Sequence, residues 1–550
     1  MDISSDEKFI IFTIDTNGDG LCDIYMKYLF DEKIFKIENK GEEKMSGDVS
    51  ISPDNSKVYY ITCDKDNRRS SLYYYDLVSL KNIKVYYEAD RSYGMSITVT
   101  SDRSKTVMVI GSYSNNEVYE VIDSTTKLIL SRREEVNYSV DYYLNKWYVL
   151  VNNKEKSYLI TLNDNLEVEV LLNNVKNKEI AEFYIKYGYI FVIFLYEGRF
   201  ILDILELCSK RMIKTIFLDD IYKINFPGLS NLDVFNNILV LEYTTFIKPI
   251  SYIVIDLDKL STVDKLILDS KDYYINKSKI LEYKESKYGS IRLNVNERGL
   301  RITVIFNKEY HGNNRKCILY GYGSYGIIVE PGFSKYIPSI LDRGYIYCIA
   351  HIRGGSDNGF NWYDNGKKLN KMNTFIDYIE CAEYLIKEKI TSADRLVGMG
   401  ASAGGLLMGA VINMRPELFK LVVMGVPFVN VLSEMCNDKK PLTTEEYKEW
   451  GNPKEKKYFD YMSMYCPYNN IDLCKEYPNL YIYSNLVDSL VSYKVPYNYY
   501  IKIREADVYK SGKKNIYLNI KMKYGHSGSS NHFERNEEMA DIYTVILSIT

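Results

Sequence analysis

The chain has 550 residues, 70 basic and 73 acidic side chains and a net charge of −3, with 46% apolar and 14% aromatic residues. One hydrophobic core does not serve that length, and the apolar content excludes a disordered chain. Balanced charge without a long block of one sign argues against a nucleic-acid partner.

Nine cysteines, an odd number with no Cys-x-x-Cys pair, argue against a zinc ribbon or a disulfide framework and for a reducing compartment. Asp2, Asp6 and Glu7 stand where a signal peptide needs a basic start. The longest apolar stretch, residues 189–196, is strand-sized and well short of the roughly 20 residues of a membrane span. A soluble cytoplasmic protein with no membrane partner is the expectation. Nothing in the sequence sets an oligomeric state, and the 54 tyrosines are assigned to coding bias.

Residues 1–283 repeat an alternating strand, a polar turn and a second strand rich in Tyr, Ile and Val, starting near Asp2, Val49, Ile97, Tyr138, Glu182 and Leu229. The spacing of roughly 41 to 48 residues is that of one four-stranded propeller blade, and six units are readable. Within the first, Asp15-Thr16-Asn17-Gly18-Asp19-Gly20 imitates a calcium loop, but Met26 occupies the position of the required bidentate Glu, so a hairpin turn is expected.

Residues 284–550 change rhythm to buried strands alternating with helices, the pattern of a parallel sheet covered by helices. Strands are predicted at 316–320, 346–352, 396–399, 421–426, 480–484 and 516–522, with helices at 373–389 and 404–414. The fold class is therefore α/β behind an all-β propeller. Gly321-Tyr322-Gly323 followed by Gly326 is not a dinucleotide fingerprint, since no helix opens directly behind it, and no cofactor is expected. Lys367, Lys368 and Lys371 are expected to form a solvated face.

Between the strand 396–399 and the helix 404–414 lies Gly400-Ala401-Ser402-Ala403-Gly404, a G-x-S-x-G turn whose small residues let strand and helix pass closely around a strained serine. A serine hydroxyl needs a base to take its proton and a carboxylate to hold that base in the right tautomer, in the chain order Ser, acid, His. Of the four histidines only His526 and His532 follow Ser402. His526 sits in a glycine-flanked loop after a strand; His532, at the start of the last helix, is assigned mainly to the surface. Asp488 follows the strand 480–484, whereas Asp472 and Asp507 are worse placed. Ser402, Asp488 and His526 are the expected nucleophile, acid and base.

These residues carry a resemblance. Tyr320-Gly321-Tyr322-Gly323-Ser324-Tyr325-Gly326, His351-Ile352-Arg353-Gly354-Gly355, Ser402-Ala403-Gly404-Gly405, Glu449-Trp450-Gly451-Asn452-Pro453 and Asp488-Ser489 run in the order found in the prolyl oligopeptidase family of serine peptidases, closest to its oligopeptidase B branch. The resemblance implies cleavage of short peptides, a triad of Ser402, Asp488 and His526, and an oxyanion hole made by the Tyr322 hydroxyl and the Ala403 N–H. It implies a substrate pocket including Tyr325, Glu446 and Glu330 that takes Arg or Lys. Lys448, however, stands where the family has a second Glu, and is expected to repel a basic residue or neutralise Glu446. Gly332 replaces a second acid beside Glu330, and Val487 and Leu490 flank Asp488 unusually. The family also implies a leading segment and a seventh blade, so an incomplete propeller is expected. An esterase or thioesterase on the same triad, or a catalytically silent propeller that binds a partner, is the alternative.

Overall fold

In the computed structural model, which describes all residues except 17–19, 32, 40–42, 66, 113, 154–155, 174–177, 197–198, 217–220, 228–236, 261–286, 441–442 and 530, the repeat folds as six antiparallel sheets. They span residues 2–37, 44–87, 94–130, 136–172, 178–216 and 222–256, hereafter blades 1 to 6. Five have four strands in simple up-and-down order, and blade 6 has three among the described residues. The expected repeat start near Leu229 lies outside the described residues, and the first described strand of blade 6 is Tyr222–Asn225.

The blades hold together because a strand shows alternate side chains to opposite faces. In blade 2, Tyr60 packs with Phe9 and Ile11 of blade 1, while its neighbour Tyr59 packs with Met95 and Ile97 of blade 3. Inner strands therefore read as nearly continuous apolar runs: Tyr189–Tyr196, the longest in the chain, is buried at six successive positions between blades 4 and 6. That run is a blade strand, and among the described residues no helix is long and apolar enough to cross a membrane.

The second half builds one eight-stranded sheet: β1 (Tyr288–Asn294), β2 (Arg301–Asn307), β3 (Cys317–Tyr320), β4 (Ile346–His351), β5 (Leu396–Ala401), β6 (Leu421–Gly425), β7 (Asn479–Asn485) and β8 (Ile516–Lys521). Its order is β1-β2-β4-β3-β5-β6-β7-β8, antiparallel at β1/β2/β4 and parallel beyond. The helices used below are α1 (Met372–Lys387), α2 (Ala403–Met414), α3 (Thr443–Trp450) and α4 (His532–Ile549). Leu396 faces a core containing Phe375 and Leu407, and adjacent Val397 faces the opposite core with Ile542 and Ile546. Both sheet faces are thus covered, as a parallel sheet requires. The parallel strands aim their C-terminal ends at one rim, where the loops carrying Tyr322, Ser402, Asp488 and His526 emerge. The expected change of domain at 283/284 falls outside the described residues.

The predicted solvated lysine face is not there. Lys367 and Lys371, which precede α1, are 2% and 1% exposed, because the Lys367 ammonium lies 4.1 Å from the centre of the Tyr363 ring and that of Lys371 reaches the loop after β3. Lys371 stands four residues before Phe375, on the same apolar stripe.

Candidate active site

β5 runs into α2 through Ser402, whose φ of 57° and ψ of −118° place a non-glycine residue in a strained region. Surrounding backbone holds it there: the Ser402 N–H donates to Gly425 O (2.8 Å), and its carbonyl accepts from the N–H groups of Gly405 (2.9 Å) and Phe428 (3.1 Å). The turn tolerates little bulk, since a Cβ at Gly400 would stand 2.3 Å from Gly404 O. The Ala403 N–H is the first of α2 and has no intrahelical acceptor, so it is available beside the serine at the positive end of a helix dipole.

Asp488 follows β7. Its carboxylate is fully buried; Oδ1 accepts from the N–H groups of Leu490 (2.9 Å) and Val491 (2.8 Å), and Oδ2 lies 2.7 Å from Nδ1 of His526. Leu490 and Val487 are 57% and 48% exposed, so the unusual side chains flanking Asp488 point away while the Leu490 backbone supports it. His526 follows β8, and its loop is tied to β7 by Asn485 Nδ2 donating to Gly525 O (2.7 Å). Asn485 gave no signal in the sequence, where it is one of many asparagines. Ser402, Tyr322 and His526 line one cleft of about 300 Å³. The competing carboxylates Asp472 and Asp507, and His532, are exposed.

Tyr322 comes off β3 and lines the same cleft as Ser402, and burial pushes its phenol pKa upward against an opposing contribution from the Ser402 hydroxyl, so it keeps its proton across the physiological range. A second cleft of about 640 Å³ also reaches Tyr322 and is lined by Lys223, Glu242 and Glu330 from both sides of the propeller–sheet junction. Glu330 is not a free carboxylate: Lys223 of blade 6 bridges it.

Glu446 on α3 accepts from the Tyr325 hydroxyl (2.7 Å) and from Trp450 Nε1 (2.8 Å) through one oxygen. Burial pushes its carboxyl up to about 7, with Glu449 and Glu445 adding to the rise and the two donors opposing it. The expected neutralisation by Lys448 is corrected by geometry: residues two apart on a helix do not share a face. Lys448 instead donates to Ser112 Oγ (2.8 Å) and Asn115 Oδ1 (3.2 Å), with its ammonium 4.0 Å from the centre of the Tyr93 ring, all on the blade 3 side of the propeller. Among the described residues no cluster of three His, Cys, Asp or Glu side chains is arranged to hold a metal ion.

Two family models divide the chain between them: the prolyl oligopeptidase family over residues 331–548, and the prolyl oligopeptidase N-terminal beta-propeller domain over residues 1–263. Dipeptidyl aminopeptidase BI of Pseudoxanthomonas mexicana is 30% identical over 99% of this chain and 75% of its own length. The chain belongs to the prolyl oligopeptidase family. Protease 2 of Moraxella lacunata is 29% identical over 89% of this chain and 70% of its own. The solved oligopeptidase B from Leishmania major superposes with a TM-score of 0.87 at 26% identity, covering all of this chain and 78% of that one. The protein is accordingly a serine peptidase, with an N-terminal propeller and a C-terminal hydrolase domain.

Proposed function

We propose that Ser402, His526 and Asp488 form the triad of an oligopeptidase that cleaves short peptides, with the Tyr322 hydroxyl and the Ala403 N–H as its oxyanion hole. The observation that carries this is the 2.7 Å pairing of His526 Nδ1 with buried Asp488, in a loop that shares the Ser402 cleft. Asp488 fixes the imidazole with its proton on Nδ1, leaving Nε2 to take the Ser402 proton as Oγ adds to the peptide carbonyl. The new oxyanion falls to Tyr322 and Ala403, and the imidazolium returns its proton to the leaving amine. Water then repeats the sequence on the acyl-enzyme.

Glu446, framed by Tyr325 and Trp450, is assigned to the side chain preceding the cut, and its carboxylate suits an arginine or lysine. Because Lys448 is fastened to the propeller, it does not oppose that charge. Lys223 answers Glu330, so preference for a second basic residue is weak. Comparing an arginyl with an alanyl peptidyl amide tests the assignment: a ratio of kcat/KM that favours arginine and disappears in Glu446→Gln is expected.

A second mode, release of dipeptides from a free N-terminus, is favoured by the acidic Glu242 in the cleft that adjoins Tyr322. Blocking the substrate's α-amine separates the two. The domain division is set at 1–283 and 284–550. A cytoplasmic site of action fits the nine free cysteines, four of which are buried in the sheet domain.

A further inference from the structure

The loop Tyr322-Gly323-Ser324-Tyr325 has two functional hydroxyls at its ends. Tyr322 lines the Ser402 cleft, and Tyr325 donates to Glu446. Its two inner residues meet a single ammonium: Lys371 Nζ donates to Gly323 O (2.6 Å) and Ser324 Oγ (2.7 Å). The same nitrogen lies 4.0 Å from Oε1 of fully buried Glu449 and 4.9 Å from the centre of the Trp450 ring. Glu449 completes the bracket, accepting from the Tyr325 N–H (3.0 Å) through Oε1 and from the Tyr363 hydroxyl (2.8 Å) through Oε2.

Such a loop needs fastening. Gly323 and Tyr325 have φ of +69° and +60°, so two of four residues sit in the left-handed region. Burying an ammonium is costly, and burial pushes that of Lys371 down to about 8 while Glu449 opposes the fall. A charge placed at that cost, 1% exposed and out of reach of solvent, does its work on its neighbours.

We propose that Lys371 is the positioning residue of this peptidase: one buried cation fixes the oxyanion donor Tyr322 and the specificity pair Tyr325–Glu446 in mutual register. This rests on the assignment of Tyr322 to the oxyanion hole. Because Lys371 does not touch substrate, its removal acts through the placement of Tyr322, and its effect is expected on kcat more than on KM.

The experiment is kinetic, on the full chain with a blocked alanyl peptidyl amide. Lys371→Met, which keeps the length of the side chain and removes the charge, is expected to lower kcat about 100-fold, the scale of an ångström-sized misplacement, with KM changed less than about 3-fold. Ser324→Ala removes one acceptor, keeps the cation and guards against misfolding of the first variant; about a 10-fold fall in kcat is expected. In the Lys371→Met background, adding Tyr322→Phe is expected to cost far less than it does alone, because the two act through one hydroxyl. Multiplicative losses, or wild-type kcat in Ser324→Ala and in folded Lys371→Met while Tyr322→Phe is impaired, would overturn the role of Lys371 alone. Wild-type kcat in Tyr322→Phe would instead remove the oxyanion assignment on which it rests.

Discussion

His526 and Asp488, 38 positions apart in the chain, meet at 2.7 Å between Nδ1 and Oδ2, and the carboxylate is closed to solvent. Its other oxygen is taken by two backbone N–H groups. The carboxylate is therefore immobile, and it in turn immobilises the imidazole. Replacing Asp488 by Asn keeps the shape and reverses the donor, so the ring is held in the wrong tautomer. A loss in kcat of about 10⁴, with the protein still folded, is expected from steady-state kinetics on any substrate.

Tyr322→Phe removes one oxyanion donor and leaves the ring packed. A fall of about 10² to 10³ in kcat is expected, with KM little changed, since the hydroxyl binds charge that appears only in the transition state. An equal rise in KM would place Tyr322 in ground-state binding instead.

Glu446 ties specificity to pH. Its carboxyl is raised to about 7, so the arginyl-to-alanyl ratio of kcat/KM should rise as pH increases through that value and flatten above it. Glu446→Gln should make the ratio independent of pH. Stability carries the opposite sign. A carboxyl raised in the folded state stabilises below its unfolded pKa, and that contribution is lost as pH climbs through about 7. Glu446→Gln should therefore stabilise the protein above pH 7 by about 1–3 kcal/mol and be near neutral at pH 4, read by urea unfolding.

Lys448 is held by Ser112, Asn115 and the Tyr93 ring. Lys448→Met should therefore change kcat/KM for arginyl and alanyl amides by the same factor. A selective gain for the arginyl amide would mean that the lysine opposes the pocket after all.

The legible parts of this molecule are those set by local pattern. Val58 to Cys63 is buried without a break because an inner blade strand has an apolar neighbour on each face, and Gly400, Gly404 and Gly405 announced a turn with no room for a side chain. Direction was harder to read. Lys371, Lys367 and Lys448 are alike as letters, yet two are buried and one spans to the propeller. Charge counts for a lysine on the surface, and only tertiary contacts say where it goes. The stripe Lys371, Phe375, Ile379 held the one available sign that Lys371 faces inward. Glu449 is as illegible, since nothing in its neighbours Lys448 and Trp450 marks which face of α3 is buried.

The central claim is that Ser402 is a nucleophile activated by His526. A fluorophosphonate probe tests it most directly, because it reacts only with an activated hydroxyl. Labelling of the purified protein that is lost in both Ser402→Ala and His526→Ala is the predicted result; undiminished labelling of Ser402→Ala would contradict it.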